Sequence, residues 1–451
     1  MLSRSAIGRS AKQCRFQQNR GLAEPASGSF QYQTGDAAGV KFASRDIPGP
    51  VSTIGLVSQA GTRYQPLPGL TEGLRWYAFK NTQRRSSLRI QRESELMGGM
   101  LGAYYDRENF VLGARFLRAD LPYYLELLAE VATMTKYQNH VVNEEVLPLI
   151  KMDQQKYLSN TLEMAVNSAH GVAFHRGLGV PVKPSSSMPV KQYVTAGDIA
   201  EFAASAYAKP SFAIVGNGVE HGELEKRVKE FFPNVRAQAA YPLKSDQSKY
   251  YGGEERIAHA SGNSMVLGFS GSSSPTGPFY KPAVAVLAEI LGGQSNIKWN
   301  PGFSLLSQAA EGKPTLHVKT RSNIYSDAGL LTVELSGAAK DVAEVAHKAV
   351  EALKGLTQNI DKELFQKAKA AAKFRELENG QSTKAAMVLT GAGLVHGGKA
   401  YQIDEVAKNT DSVTVEQVQK VAKEALENKA SVSAVGDLFV LPYAEEIGLR
   451  V

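Results

Sequence analysis

The sequence predicts an α+β protein built from two similar halves, and three observations carry that reading. A chain of 451 residues with 43% hydrophobic and 21% charged side chains and a single cysteine has the composition of a globular protein. At roughly 150 residues per domain it holds two or three units, each large enough to bury a core without metal or disulfide support. Segments about 219 residues apart repeat one another in order, as a duplicated unit does. No window is apolar enough to span a bilayer: the best stretch, Pro282 to Ala288, runs straight into Glu289.

The repeated elements follow one another along the chain. Phe110 to Phe116 reads as a strand and Leu121 to Val131 as an amphipathic helix behind it; Leu330 to Leu335 and Val342 to Leu353 repeat the pair. Val142-Asn-Glu-Glu-Val146 opens a long helix reaching Asn160, and Ile360-Asp-Lys-Glu-Leu364 opens one reaching Asn379. Thr195 and Thr414 each stand as an N-cap before a further helix. Those helices lead to the short strands Phe212 to Gly216 and Val432 to Gly436. The expected domains are 23–235 and 255–451, joined by a polar linker over 236–254 that bears Lys and Tyr.

Residues 1–22 carry Arg4, Arg9, Lys12, Arg15 and Arg20 among Ser3, Ser5 and Ser10, with no acid before Glu24. This is the Arg- and Ser-rich, acid-poor pattern of a mitochondrial transit peptide. Arg20-Gly-Leu-Ala23 also resembles the site cut by the matrix processing peptidase. Removing five positive and no negative charges takes the formal charge from +7 to +2 and removes Cys14. The mature chain then has no thiolate ligand, and its near-neutral charge argues against a nucleic-acid surface.

Most motifs that could carry chemistry fail on spacing. Gly216-Asn-Gly218 lacks the third glycine of a dinucleotide loop, since His221 stands there, and reads as a plain strand-to-helix turn. Gly397-Gly-Lys-Ala400 is no phosphate loop and Gly268-Phe-Ser-Gly-Ser272 no nucleophile elbow; both are expected to be flexible loops. No two of His140, His170, His175, His221, His259, His317, His347 and His396 are three or four apart, the spacing that puts two imidazoles on one helical face.

One region does match a catalytic pattern, in altered form. Ala60-Gly-Thr-Arg-Tyr64, the stretch Gly69 to Thr82, Glu95 to Tyr104 and Asp106-Arg-Glu108 resemble the insulinase/pitrilysin superfamily and its mitochondrial processing peptidase branch. Members of that family carry Gly-Ser/Thr-Arg, then His-x-x-Glu-His, then Met-Ala-Phe-Lys-Gly-Thr. The resemblance implies two α/β domains closed as a clam shell. Anchored on Ala78-Phe79-Lys80, it puts Glu72 at the first histidine, Arg75 at the catalytic glutamate and Trp76 at the second histidine, with the third ligand near Leu149. Zinc chemistry needs two imidazoles, a carboxylate and a general base, and Gly61 to Thr82 contains no histidine. At about 4 Å and an effective dielectric near 20, Arg75 would repel a divalent ion by roughly 8 kcal/mol. Glu72 and Arg75, three apart on one helix, are expected to form a surface ion pair with each other.

The resemblance therefore implies a chain with no catalytic residue, metal or cofactor of its own. It is expected to be a scaffold core subunit of the dimeric ubiquinol-cytochrome c reductase, peripheral on the matrix side of the inner membrane. Its partners there would be core protein 1, cytochrome b, cytochrome c1 and the Rieske protein, which hold the electron-carrying groups. The other expected identity is the presequence-binding α subunit of the processing peptidase, which carries a glycine-rich loop. The corresponding stretch here, Leu291 to Ser307, has one Gly pair and no run of glycines.

Overall fold

The computed structural model describes residues 30–184, 193–295, 300 and 302–451; the predicted transit segment, with Cys14, and part of the Leu291 to Ser307 stretch lie outside them. Two sheets organise the chain. The first contains β1 (Gln33–Ala37), β2 (Val40–Arg45), β3 (Val51–Ser58), β4 (Met100–Tyr105), β5 (Phe110–Leu117) and β6 (Phe212–Asn217), in the order β1-β2-β6-β3-β5-β4. The second contains β7 (Gly253–Ala258), β8 (Asn263–Ser270), β9 (His317–Ile324), β10 (Gly329–Gly337) and β11 (Ser431–Gly436), in the order β7-β11-β8-β10-β9. In each sheet the late strand inserts in the middle and pairs in parallel with the first strand of the repeat: β6 with β2, and β11 with β7. All other pairs are antiparallel. The duplication read from spacing is therefore present as one strand order used twice.

Alternation along the strands gives each sheet two apolar faces. On one face of the first sheet, Phe42, Ile54, Leu56 and Leu112 pack with side chains of the helices Leu121–Met134, Ala196–Ala206 and His221–Phe231. The second sheet packs in the same way against Pro282–Leu291, Ala339–Gln358 and Val415–Glu427. Thr195 accepts from the Asp198 amide and Thr414 forms a full capping box with Gln417, as the cap residues predict.

The opposite faces are covered by an exchange. Helix Leu147–Ser159 breaks at Asn160 and helix Lys362–Gln381 breaks at Ser382; both residues are extended (ψ 95° and 117°) and turn the chain across to the other half. Helix Thr161–Phe174 then lays Met164, Ala165 and Ala169 on Val266 and Val435 of the second sheet. Helix Thr383–Ala392 lays Ala386 and Met387 on Val57, Val111 and Val215 of the first. Close approach needs glycine here: a Cβ on Gly55 would collide with the Met387 sulfur, and one on Gly391 with the Val57 side chain.

The two expected loops are loops only in part. Gly268, Phe269 and Ser270 form the end of β8, where Phe269 is buried and a Cβ on Gly268 would sit 3.1 Å from the Ser431 carbonyl of the neighbouring strand. Gly397 closes a π-helical turn, Gly393–Gly397, that continues helix Thr383–Ala392, and only Gly398 onward leaves it. Gly216 and Gly218 do lie at the junction of β6 with helix His221–Phe231. No helix among the described residues is long and apolar enough to cross a membrane.

Candidate functional site

Helix Leu70–Tyr77 starts after Gly69, whose φ of 89° is a left-handed value that glycine adopts without strain. Leu70, Leu74 and Tyr77 recur at helical spacing and enter the core of the first half. This orientation places the Glu72 side chain inside, 1% exposed, while the Arg75 side chain stays partly solvated.

Glu72 and Arg75 do not pair with each other as expected. The Lys183 ammonium donates to Glu72 Oε1 at 2.8 Å and to Asp153 Oδ2 at 3.2 Å. Arg75 Nη1 donates to the same Asp153 oxygen at 2.9 Å, and its guanidinium lies 4.2 Å from the centre of the Trp76 ring. Residues three apart on a helix meet only when both point outward, and Glu72 points inward to where Lys183 arrives. Leu149 is half-buried and supplies nothing; the acid on helix Leu147–Ser159 is Asp153, one turn further on and the only acid in that helix. That single acid was the signal in the sequence for the correct register. Lys183 had none, because it comes from an irregular segment 111 residues from Glu72.

Burial dominates the electrostatics of this network. It pushes the Glu72 carboxyl up to about 7, against the attraction of Lys183, and leaves Oε2 without a hydrogen-bond partner. Burial also pushes Asp153 upward, but Lys183 and Arg75 together outweigh it and hold that carboxyl below its ordinary value. The Tyr105 hydroxyl is driven well up by burial and by the nearby Glu72 charge.

A second polar cluster joins the halves. Arg63 spans Asp327 with both terminal nitrogens, at 2.7 and 2.8 Å, and Nη1 also donates to Glu108 at 2.8 Å. Glu108 in turn accepts from the Ser326 amide at 2.8 Å and hydroxyl at 2.6 Å. The connecting segment joins in through the Ser248 amide, 2.8 Å from Asp327, and the Asp246 carbonyl, 3.0 Å from Arg63. Arg107 is buried and donates to the Leu178 and Val180 carbonyls and Asn167. Beside this cluster lies a cavity of about 830 Å³ lined by Tyr64, Asp106, Asn109, Leu243, Tyr325 and His396. Burial drops the His396 imidazole to about 4, so it is neutral at physiological pH. Glu72, Arg75, Asp153 and Lys183 do not line this cavity.

Comparison with known proteins decides what this arrangement belongs to. Residues 41–177 match the model of the insulinase family, peptidase family M16, and residues 193–372 match that of the M16 inactive domain. The chain belongs to the insulinase family. Within it, the chain is 45% identical to subunit 2 of the mitochondrial cytochrome b-c1 complex of Neurospora crassa over the full length of both. It is 35% identical to the corresponding protein of Schizosaccharomyces pombe, over 93% of this chain and 95% of that one. For the human protein of the same name the identity is 28%, over 91% and 90%.

Active members of the insulinase family hold zinc, and the residues here do not fit that ion. Only Glu72 and Asp153 could ligate it, and both carboxylates already flank the Lys183 ammonium, with Arg75 as a second fixed cation. No group of three or more His, Cys, Asp or Glu among the described residues is placed to hold a metal.

Proposed function

We propose that this chain is a non-catalytic structural core subunit of the mitochondrial cytochrome b-c1 complex, ubiquinol-cytochrome c reductase. The observation that carries the reading is the substitution of an ion-pair network for a metal site. Two cations and two carboxylates close on one another between helices Leu70–Tyr77 and Leu147–Ser159, so the two carboxylates that could ligate a metal are already paired with fixed cations. Likeness to subunit 2 of that complex along the whole chain supports it. On this reading none of Glu72, Arg75, Trp76 or Leu149 is catalytic, and the chain binds no cofactor.

The same reading places the protein in mitochondria, peripheral to the inner membrane on the matrix side. Its partners are core protein 1, cytochrome b, cytochrome c1 and the Rieske protein within a dimeric assembly. Residues 1–22 serve as the import signal, removed on entry, and 23–235 and 255–451 are the two domains with 236–254 between them. The decisive experiment is a native gel of detergent-solubilised mitochondrial membranes, stained for heme and probed for this chain. Co-migration of all the protein with the cytochromes, and an N-terminus at Ala23 by sequencing, is the expected result. Recovery as a soluble heterodimer that binds presequence peptides would overturn it in favour of the processing-peptidase α subunit.

A further inference from the structure

The face of the first sheet beneath helix Thr383–Ala392 is only partly covered, and its uncovered part is bare in a way the fold does not require. Gly55, Gly113 and Gly102 stand side by side across β3, β5 and β4, each paired with the next. Met387 covers Gly55. A side chain at Gly102 would meet nothing within 4 Å, and one at Gly113 only carbonyl oxygens at 3.8 and 4.0 Å. Neither residue has a positive φ. Within this chain, then, nothing in conformation or packing calls for glycine at either place, and glycine inside a strand weakens it.

The second half supplies the comparison. At the positions 219 residues on stand Arg321 and Thr332, paired across β9 and β10 as Gly102 and Gly113 are across β4 and β5. There Arg321 reaches Glu334 at 3.2 Å and Asn323 donates to the Thr332 hydroxyl at 3.1 Å, so long polar side chains fill the equivalent face. The first half instead leaves a trough of about 540 Å³, with Met100, Val51, Thr53, Tyr104 and Met387 among its walls. Met100 and Val51, 68% and 39% exposed, stand uncovered together on this face. Arg115 and Lys384 also line it, and no carboxylate among the described residues pairs with either. The Tyr104 hydroxyl, under Lys384, is buried without a hydrogen-bond partner.

We infer that this trough seats a polypeptide segment of a neighbouring subunit, apolar where it lies on Gly102 and Gly113 and acidic where it meets Arg115 and Lys384. Bare glycine on a strand is one mark of the close approach of another backbone, methionine walls adapt to an irregular apolar surface, and two cations that no described carboxylate pairs call for carboxylates. The Tyr104 hydroxyl offers the segment one hydrogen bond. The inference rests on the reading of this chain as a subunit of a larger assembly.

Writing the second half's residues into the first tests it. The double variant Gly102→Arg/Gly113→Thr fills the floor, and Arg115→Glu/Lys384→Glu leaves the floor open but reverses the charge. Each is expected to accumulate in mitochondria and to lower its share of the cytochrome-bearing band on a native gel about tenfold, the effect of losing a central contact. A photo-crosslinking amino acid at position 100 in the assembled complex is expected to capture a peptide containing Asp or Glu. Wild type in the band with both variants there at the wild-type level overturns the inference alone, as does a crosslink to lipid or to nothing. Wild type absent from the band overturns the subunit reading and the inference with it. Should the filled variant not fold, the charge variant and the crosslink decide.

Discussion

At the scale of single residues, Glu72 and Lys183 set the behaviour of the degenerate site. Burial raises the Glu72 carboxyl from an ordinary 4.5 to about 7, so the folded chain holds that proton more tightly than the unfolded one. The stability this represents is complete below about pH 4.5 and is lost as pH rises through about 7, a change of about 3 kcal/mol. Asp153, held below its ordinary value of 3.8, acts with the opposite sign in a separate, more acid window. Glu72→Gln is therefore expected to remove most of the fall in melting temperature between pH 5 and 8 relative to wild type; an unchanged slope refutes the assignment. Lys183→Met leaves the Glu72 charge buried and unpaired, and should cost about 3 kcal/mol in urea unfolding at pH 8. The loss should be smaller at pH 5.5, where Glu72 is protonated and needs no cation. Sequence spacing found Glu72 and Arg75 but paired them wrongly, because a helical wheel says which residues share a face and not which face is buried. Lys183 could not be found that way, since only tertiary contact brings it to Glu72.

At the scale of elements, the strands and helices were legible because their apolar periods are strong, and the two cap threonines because a hydroxyl before a helix has one main use. Thr414→Ala is expected to lower stability by about 1 kcal/mol, read from the urea midpoint. The exchange of helices Thr161–Phe174 and Thr383–Ala392 was not legible. Ala165, Ala169, Ala386 and Met387 announce a buried face, and nothing in a sequence names the sheet that buries it. Met387 packs on the glycine of β3, so Met387→Ala opens a hole there and should cost about 3 kcal/mol. Gly55→Ala collides with the Met387 sulfur and should destabilise by about 2 kcal/mol. The double change Gly55→Ala/Met387→Ala should cost less than the sum of the two, the coupling expected of residues in contact; additive losses would show that the helix does not sit on this sheet in solution.

At the scale of the whole molecule, the duplication was visible as an offset and the structure realises it as one strand order used twice, while the clamp between the halves was hidden. Asp106-Arg-Glu108 stood out as a family motif, yet of the three only Glu108 reaches the other half, accepting from Ser326 218 residues away and from Arg63, which in turn spans Asp327. Arg63→Met leaves Glu108 and Asp327 without their common cation and should destabilise by about 4 kcal/mol. Hydrogen exchange should then rise first in the segments around Ser248 and Ser326, whose amides donate to those carboxylates; protection unchanged there would show that Arg63 does not tie the halves together.

The exchanged helices also constrain the order in which the molecule can assemble itself. A chain threaded amino end first presents β1 to β6 and helix Thr161–Phe174 long before β8 and β11 exist to receive that helix. Until helix Thr383–Ala392 arrives, Ala43, Val57 and Val215 remain without their cover. The leading half must therefore wait, incomplete and with apolar surface open, for the trailing half, and β11, near the carboxyl end, enters the middle of its sheet last. Each half packs one face of its sheet with its own helices and leaves the other face to a helix of the other half, so a chain cut between them would leave a sheet with one face bare.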